Sequence, residues 1–470
     1  MRGRVAALQG LFISCTIYES GNASVRFYRL IFNIEMDLFE RVFRLKEKGT
    51  TVRTECIAGL TTFITMAYVL VVIPQMLSST GMDKAALFTA TAVASIIATF
   101  IMAFYANLPY ALAPGLGLTA FFAYAVVGAM GYSWQTALTA VFIEGILFII
   151  LTITNAREAI IKAIPPNLKS AISVGIGLFI TAIALNNAGI IRQGSGTLLE
   201  MGNLLSMDSL VLLIGMFSIV VLLHFRVKGA LLLGVAIATL AGIPAGVTVL
   251  PDDFTLLSLP PSPGPVLGKI TFDTDVLFSG EMLAVVLTMV FVDLFDTLGS
   301  LIGVASRAGL TDRTGNVRGL KKALFTDALG TTIGALIGTS TVTVYVESAS
   351  GVAAGGRSGF TALCVGILFF IALFFSPLFM IVPSAALSSA LVMVGFFMMS
   401  AVREIDFSDY GNGLPAFLTI VMMPFTYSIA NGIMFGMVSL VILKLLTGKA
   451  KELTVAMYIV ALFLLMKLFL

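Results

Sequence analysis

Asp293 and Asp296 stand in Phe291-Val292-Asp293-Leu294-Phe295-Asp296-Thr297-Leu298-Gly299-Ser300, a run that is otherwise largely apolar. Positions 293, 296, 300 and 303 lie three or four residues apart, so on a helix they share one face. That face carries Asp, Asp, Ser and Gly, and is suited to a water-filled site. Acids of this kind are costly inside a membrane, and each is expected to serve a ligand or a structural partner. One reading makes Asp296, and after it Asp293, a ligand- or proton-binding group. The other has an Asp accept bonds from a neighbouring broken segment and support the fold. Glu347 follows the β-branched run Thr339-Ser340-Thr341-Val342-Thr343-Val344-Tyr345-Val346 and opens a Gly/Ala-rich stretch. A carboxylate at the start of a half-helix is favoured by the dipole there. It would also lie beside Asp296 if the broken segments meet at the membrane midplane. Two neighbouring acids cannot both ionise cheaply, so one of them is expected to take a proton from the medium. That is the minimal machinery for proton-coupled uptake. Glu144, in Phe142-Ile143-Glu144-Gly145, has no charged neighbour in sequence and reads equally as a neutral acid bonded across helices. The single histidine, His224, is expected at a membrane edge beside Arg226.

These residues need a frame, and composition supplies it. The chain has 470 residues, 58% hydrophobic and 11% charged, with a mean hydropathy of +1.03. A soluble domain carries about 25% charged residues, so the lipid bilayer must be the solvent for most of this surface. That excludes a soluble enzyme, a nucleic-acid binder and a disordered scaffold. A net charge of +3 implies no polyanionic partner. Cys15, Cys56 and Cys364 show no CxxC spacing, so neither a disulfide framework nor a zinc site is indicated. No GxSxG, Walker or HExxH motif is present, so no enzyme, ATP-driven pump, metal or cofactor is expected.

Segments of about 20 apolar residues can cross the hydrocarbon. They predict spans 1 to 7 near 55–78, 86–105, 112–130, 134–154, 169–188, 208–224 and 229–248. A Pro-rich loop follows over 249–280. Spans 8 to 14 are predicted near 281–305, 322–338, 340–356, 359–382, 384–400, 413–428 and 430–447. Residues 448–470 form an apolar tail, in which 455–470 reads as interfacial rather than spanning. Residues 1–54 are expected to be cytoplasmic, with 1–35 read as an upstream-start extension before Met36 and a weak targeting segment as the alternative. Lys and Arg alternate between joints: Arg157, Lys162, Lys169, Arg226, Lys228, Arg307, Arg313, Arg318, Lys321, Lys322, Arg357, Arg403, Lys444, Lys449 and Lys451 fall on one side. Only Lys84, Arg192 and Lys269 fall on the other. The positive-inside rule then places the N-terminus and the end of span 14 in the cytoplasm.

Seven spans per half is odd, so two related halves, 55–248 and 281–447, would face opposite ways, which is the inverted-repeat plan of secondary transporters. Glu55 and Glu281 open the halves with an offset of 281 − 55 = 226. Span 3 opens with Ala113-Pro114-Gly115-Leu116-Gly117, which cannot be continuous helix. Adding 226 to 113 gives 339, the start of the β-branched run in span 10. Paired breaks at matching positions point to a binding site. The simpler reading is that Pro and Gly only kink two long helices.

The chain resembles the AzgA-like purine permeases of the nucleobase–cation symporter superfamily from about Leu38 onward. The resemblance rests on Ala58-Gly59-Leu60-Thr61-Thr62-Phe63-Ile64-Thr65-Met66-Ala67-Tyr68 and Ala113-Pro114-Gly115-Leu116-Gly117-Leu118-Thr119-Ala120-Phe121-Phe122-Ala123. It rests equally on Asp296-Thr297-Leu298-Gly299 and Thr343-Val344-Tyr345-Val346-Glu347-Ser348. It implies an all-α polytopic protein of about 14 segments in a 7+7 inverted repeat, with extended stretches in segments 3 and 10. Spans 1–4 and 8–11 would form a core, and the others a gate. It implies a plasma-membrane permease importing adenine, guanine or hypoxanthine by proton symport, with an elevator-like movement of core against gate. Substrate contacts would come from Gly117, Thr119 and Phe121, from Asp296, and from Glu347 and Ser348. Glu347, Asp296 and Asp293 would be the candidates for proton coupling. Its partners would be a purine base, protons and lipid, with a homodimer left open. Two departures make the site less polar: Thr119 stands where the family usually has Asn, and Ile73 precedes Pro74 where Asn is usual. An anion transporter of the sulfate-permease type on the same fold is the alternative, as is a permease for a non-purine nucleobase. Glu347, in place of a basic residue, argues against the anion.

Overall fold

The computed structural model describes residues 40–154, 165–194, 199–251, 254–277, 279–308, 319–454, 457–458 and 461. The expected extension 1–35, the basic residues Arg157, Lys162, Arg313 and Arg318, and most of 455–470 lie outside them. The described chain crosses as 14 segments. Span 1 is Val52–Met66 and Val69–Ser78, broken at Ala67-Tyr68, and span 2 is Lys84–Ile101. Span 3 is an extended Leu112–Pro114 followed by helix from Leu116, and span 4 is Trp134–Ile153. Spans 5, 6 and 7 are Pro166–Asn187, Met207–His224 and Ala230–Gly242. Spans 8 and 9 are Gly280–Ala308 and Leu320–Ile337. Span 10 is an extended Val342–Val344 followed by Ser348–Ala353. Spans 11 to 14 are Gly359–Leu373, Ser384–Met398, Tyr410–Phe425 and Ile429–Leu446.

The two extended stretches explain each other. Backbone N–H and C=O groups that leave a helix inside a bilayer must be satisfied within the protein. Leu112–Pro114 and Val342–Val344 pair antiparallel, with Ala113 opposite Thr343. At either end the ladder continues symmetrically: Gly115 N–H donates to Thr341 C=O at 2.9 Å and Tyr345 N–H to Ala111 C=O at 3.0 Å. Neighbouring helices repeat the symmetry. Thr99 Oγ1 of span 2 bonds Leu112 C=O at 3.1 Å, and Thr331 Oγ1 of span 9 bonds Val342 C=O at 2.9 Å. The offset between strands is 342 − 112 = 230, four more than the sequence offset.

Packing divides the spans into two bodies. Span 4 lies on 9, span 11 on 1 and 2, span 9 on 2, and span 10 on 1 and 8. In the other body span 5 lies on 12 and 13, span 6 on 7 and 12, and span 13 on 14. This is the expected core and gate. The Pro-rich loop is stitched across the core: Pro261 C=O accepts from Thr89 Oγ1 at 2.7 Å, and Gly268 N–H donates to Leu336 C=O at 2.8 Å. The sequence reading did not foresee a short antiparallel ladder between Ile191–Gln193 and Leu199–Met201.

Span 11 shows how a buried helix start is satisfied. Its leading N–H groups would otherwise have no acceptor. Glu55, wholly buried, accepts from Arg357 N–H at 2.8 Å, Ser358 N–H at 3.3 Å and Thr361 N–H at 3.0 Å. Asn107 Oδ1 takes Gly359 N–H at 2.8 Å. Glu55→Ala leaves the Arg357 and Ser358 N–H groups and the Thr361 hydroxyl without this acceptor, at a cost of about 3 kcal/mol. Thermal melting in detergent should fall by several degrees, with Glu55→Gln in between. An unchanged melting temperature for Glu55→Ala would contradict this role.

Candidate functional site

Where the two strands end, the chain resumes as helix and leaves a cavity between the bodies. Its volume is about 120 Å³, several times what one water needs. The core wall carries Tyr68, Gly115, Gly117, Asp296, Ser300, Thr343 and Glu347; the gate wall carries Ile172, Ser173, Ile176, Val394 and Met398. The core wall sets these polar groups among Leu116, Val292, Val344 and Val346, and the gate wall is mostly apolar. Among the described lining residues are two carboxylates and no Lys, Arg or His.

Gly115 is where side chain and backbone compete for one place. A Cβ there would stand 2.7 Å from Thr343 Cγ2 and 3.6 Å from Asp296 Oδ2. The Thr343 methyl leaves no room for a side chain here, and Asp296 lies in ordinary contact beside it. Gly117 faces the gate, where a Cβ would lie 3.0 Å from Ile176 Cγ2.

Glu347 precedes the half-helix Ser348–Ala353 without capping it. Its Oε1 instead accepts the Tyr68 hydroxyl at 2.7 Å, which reaches across from the break in span 1. Thr65 Oγ1 meets Ser350 Oγ at 3.2 Å, so span 1 grips the same half-helix one turn away. Tyr345 donates its hydroxyl to Pro114 C=O, a carbonyl beside the strand crossing.

Asp296 lines the cavity, whereas Asp293 lies behind it. Thr297 Oγ1 stands 3.1 Å from Asp293 Oδ1, 3.0 Å from each Asp327 oxygen and 2.7 Å from Thr343 Oγ1. A hydroxyl carries one proton, so Thr297 donates to only one of these acids at a time. This buried cluster joins spans 8, 9 and 10. Asp327 is absent from the sequence reading, although an acid in an apolar span was the signal used for its neighbours. Tyr68 and Ser173 were likewise passed over. A Tyr at a helix break and a Ser in an apolar helix carry no comparable signal.

The remaining sequence candidates have other surroundings. Thr119 is fully buried; its hydroxyl donates to Gly115 C=O at 2.7 Å and meets Ser340 Oγ, which ties span 3 to the start of span 10. Ser348 Oγ accepts Ala111 N–H at 3.0 Å. Phe121 is buried in the apolar core. None of the three lines the cavity. Glu144 accepts the Thr341 hydroxyl at 2.6 Å, so it links span 4 to the same crossing. His224 ends span 6 with its ring edge-on to Phe225.

Residues 53–435 match the model of the Permease family, Xan_ur_permease. The putative permease MJ0326 of Methanocaldococcus jannaschii is 45% identical over 91% of this chain and 97% of its own. The adenine permease AdeP of Escherichia coli is 42% identical over 92% and 96%. The guanine/hypoxanthine permease PbuG of Bacillus subtilis is 44% identical over 88% and 96%. Among solved structures, the transmembrane domain of the cyanobacterial bicarbonate transporter BicA superposes with a TM-score of 0.58 at 16% identity, covering 82% of this chain and 96% of that one. SLC26A9 gives 0.62 at 11% identity, covering 90% and 70%. These two share the 7+7 inverted-repeat fold. A match across both halves, with relatives above 40% identity over most of their length, means that the chain belongs to the Permease family.

Proposed function

We propose that this protein is a plasma-membrane permease that imports a purine base (adenine, guanine or hypoxanthine) together with a proton, by moving its core against its gate. The observation that carries the reading is the placement of Asp296 and Glu347 on one wall of a cavity between the two bodies. The purine N–H groups match carboxylate acceptors, and the ring nitrogens can accept from the hydroxyls of Ser300 and Ser173. Ile172, Ile176 and Val394 offer an apolar face to the flat ring. Relatives that are adenine and guanine/hypoxanthine permeases support the same class of substrate. Two acids and no basic side chain on the described walls disfavour an anion. The N-terminus lies in the cytoplasm in this reading.

Proton coupling follows from the same pair. A carboxylic acid can bind a proton on one side of the membrane, hydrogen-bond the base while protonated, and release the proton on the other side. Tyr68 holds Glu347 toward the cavity, and Asp296 faces it from span 8.

Uptake of labelled adenine, guanine, hypoxanthine and uracil by cells lacking their own permeases tests the substrate. Saturable uptake of at least one purine is expected, and flat uptake of every base would contradict the reading. Asp296→Asn keeps the shape but loses the charge and part of the acceptor capacity. Losing a hydrogen bond to a charged group should reduce uptake roughly 10- to 100-fold, with membrane expression unchanged; normal uptake would remove Asp296 from the site.

Glu347→Gln imitates the protonated acid and cannot release a proton. In proteoliposomes the variant should exchange bound purine in counterflow yet fail to concentrate it under a pH gradient. Gradient-driven accumulation by this variant would exclude Glu347 as the coupling acid. Tyr68→Phe removes only the hydroxyl that fixes Glu347. The half-saturating purine concentration should rise roughly tenfold while the melting temperature stays constant. An unchanged concentration would show that the phenol does not position Glu347 for binding.

A further inference from the structure

Spans 1 and 11 approach each other where their side chains are smallest. A Cβ added to Gly59 would lie 2.5 Å from Cys364 Cβ and 2.9 Å from the Thr361 carbonyl oxygen. One turn before Gly59, Cys56 brings its sulfur to 3.7 Å from that of Cys364. Both thiols are free; Cys56 is exposed and Cys364 partly so. They belong to the end of the core where Glu55 receives the first N–H groups of span 11. Nothing in the transport reading uses either sulfur.

We propose that Cys56 and Cys364 form a dithiol modification site, whose two-electron oxidation closes a disulfide that staples span 1 to span 11. The sulfurs already touch, and a disulfide of about 2.05 Å requires them to close by less than 2 Å. Side-chain rotation can supply that movement. The close backbone approach it depends on is fixed by Gly59. The separation in sequence, 364 − 56 = 308 residues, explains why spacing alone gave no hint of the pair.

The chemistry needs an oxidant, and a diazenedicarboxamide such as diamide is a suitable class. The thiolate of the exposed Cys56 adds to the N=N bond, forming an S–N bond, and the nitrogens take up a proton. The thiolate of Cys364 then attacks the Cys56 sulfur; the S–S bond forms as the S–N bond breaks. The two thiols lose two hydrogens in all, and the diazene leaves as a hydrazine having gained two electrons and two protons. The cross-link closes a loop of some 300 residues, and loops of that length restrict the unfolded chain strongly.

The test uses the full chain in detergent, treated with diamide and then labelled with a maleimide after denaturation in SDS. The label count should fall from three thiols to one, with Cys15 remaining, in a species that stays monomeric on a non-reducing gel. Peptide mass spectrometry should find Cys56 joined to Cys364, and the melting temperature should rise by several degrees and return on adding dithiothreitol. Cys56→Ala should block both the cross-link and the rise. Cys364→Ser, which alters the less exposed partner, is the second variant and should do the same. Three labels with an unchanged melting temperature after oxidation would overturn the proposal. A bridge that runs through Cys15 or joins two chains would also overturn it.

Discussion

A backbone that leaves a helix in the middle of a bilayer has no water to turn to, and here two such stretches satisfy each other. Leu112–Pro114 and Val342–Val344 form one short antiparallel ladder, extended at both ends by Gly115 to Thr341 and Tyr345 to Ala111. Pro114 is tolerated because it stands opposite Val342 in a pair that exchanges no backbone bonds. Its missing donor would have pointed away from the partner strand, and the ladder bonds fall on Ala111, Ala113 and Gly115. Thr99 and Thr331 then take up the carbonyls of Leu112 and Val342 from equivalent helices in the two halves. Break the pairing and several polar groups lose their partners together, each at a cost of a few kcal/mol in hydrocarbon.

The position of the acids follows from this crossing. Tyr345 and Glu347 come directly after the second strand, so the strand fixes how far Glu347 can stand from span 8. Gly115 comes directly after the first strand, and its missing side chain makes room for the Thr343 methyl beside Asp296. Behind that wall, Thr297 gathers Asp293, Asp327 and Thr343 into a buried polar cluster, while Glu144 holds Thr341 from the opposite side. Partly satisfied polar networks are costly in an apolar interior. Such a cluster therefore constrains the geometry of spans 8, 9 and 10 more tightly than apolar packing would.

Much of this was legible in the residues. Pro114-Gly115 and the β-branched run from Thr339 could not be continuous helix, and both proved extended. Most span limits read from hydropathy fall within a few residues of the observed ones, because the bilayer sets their length scale. The helices of spans 7 and 11, by contrast, end at Gly242 and Leu373, short of the expected 248 and 382. What could not be read was register and direction. The strands start 230 residues apart rather than 226, and they pair antiparallel, with Ala113 opposite Thr343, a direction and register that pattern alone does not fix. Thr119 lies on the same helix as the cavity glycines, but its hydroxyl turns back to Gly115 and Ser340. A helical position gives the face, not the partner the side chain chooses. Glu55 served only as a marker of span 1, yet it caps span 11 from 302 to 306 residues away in sequence.

The most direct measurement is an experimentally determined structure of the protein with hypoxanthine bound. The predicted result is density for one base between Asp296 and Glu347, within hydrogen-bonding distance of both carboxyl groups and flanked by Ile172 and Ile176. Density in a different place, such as the separate hollow beside the Ile191–Met201 hairpin lined by Asn186 and Tyr427, with the space between the two acids empty, would contradict it.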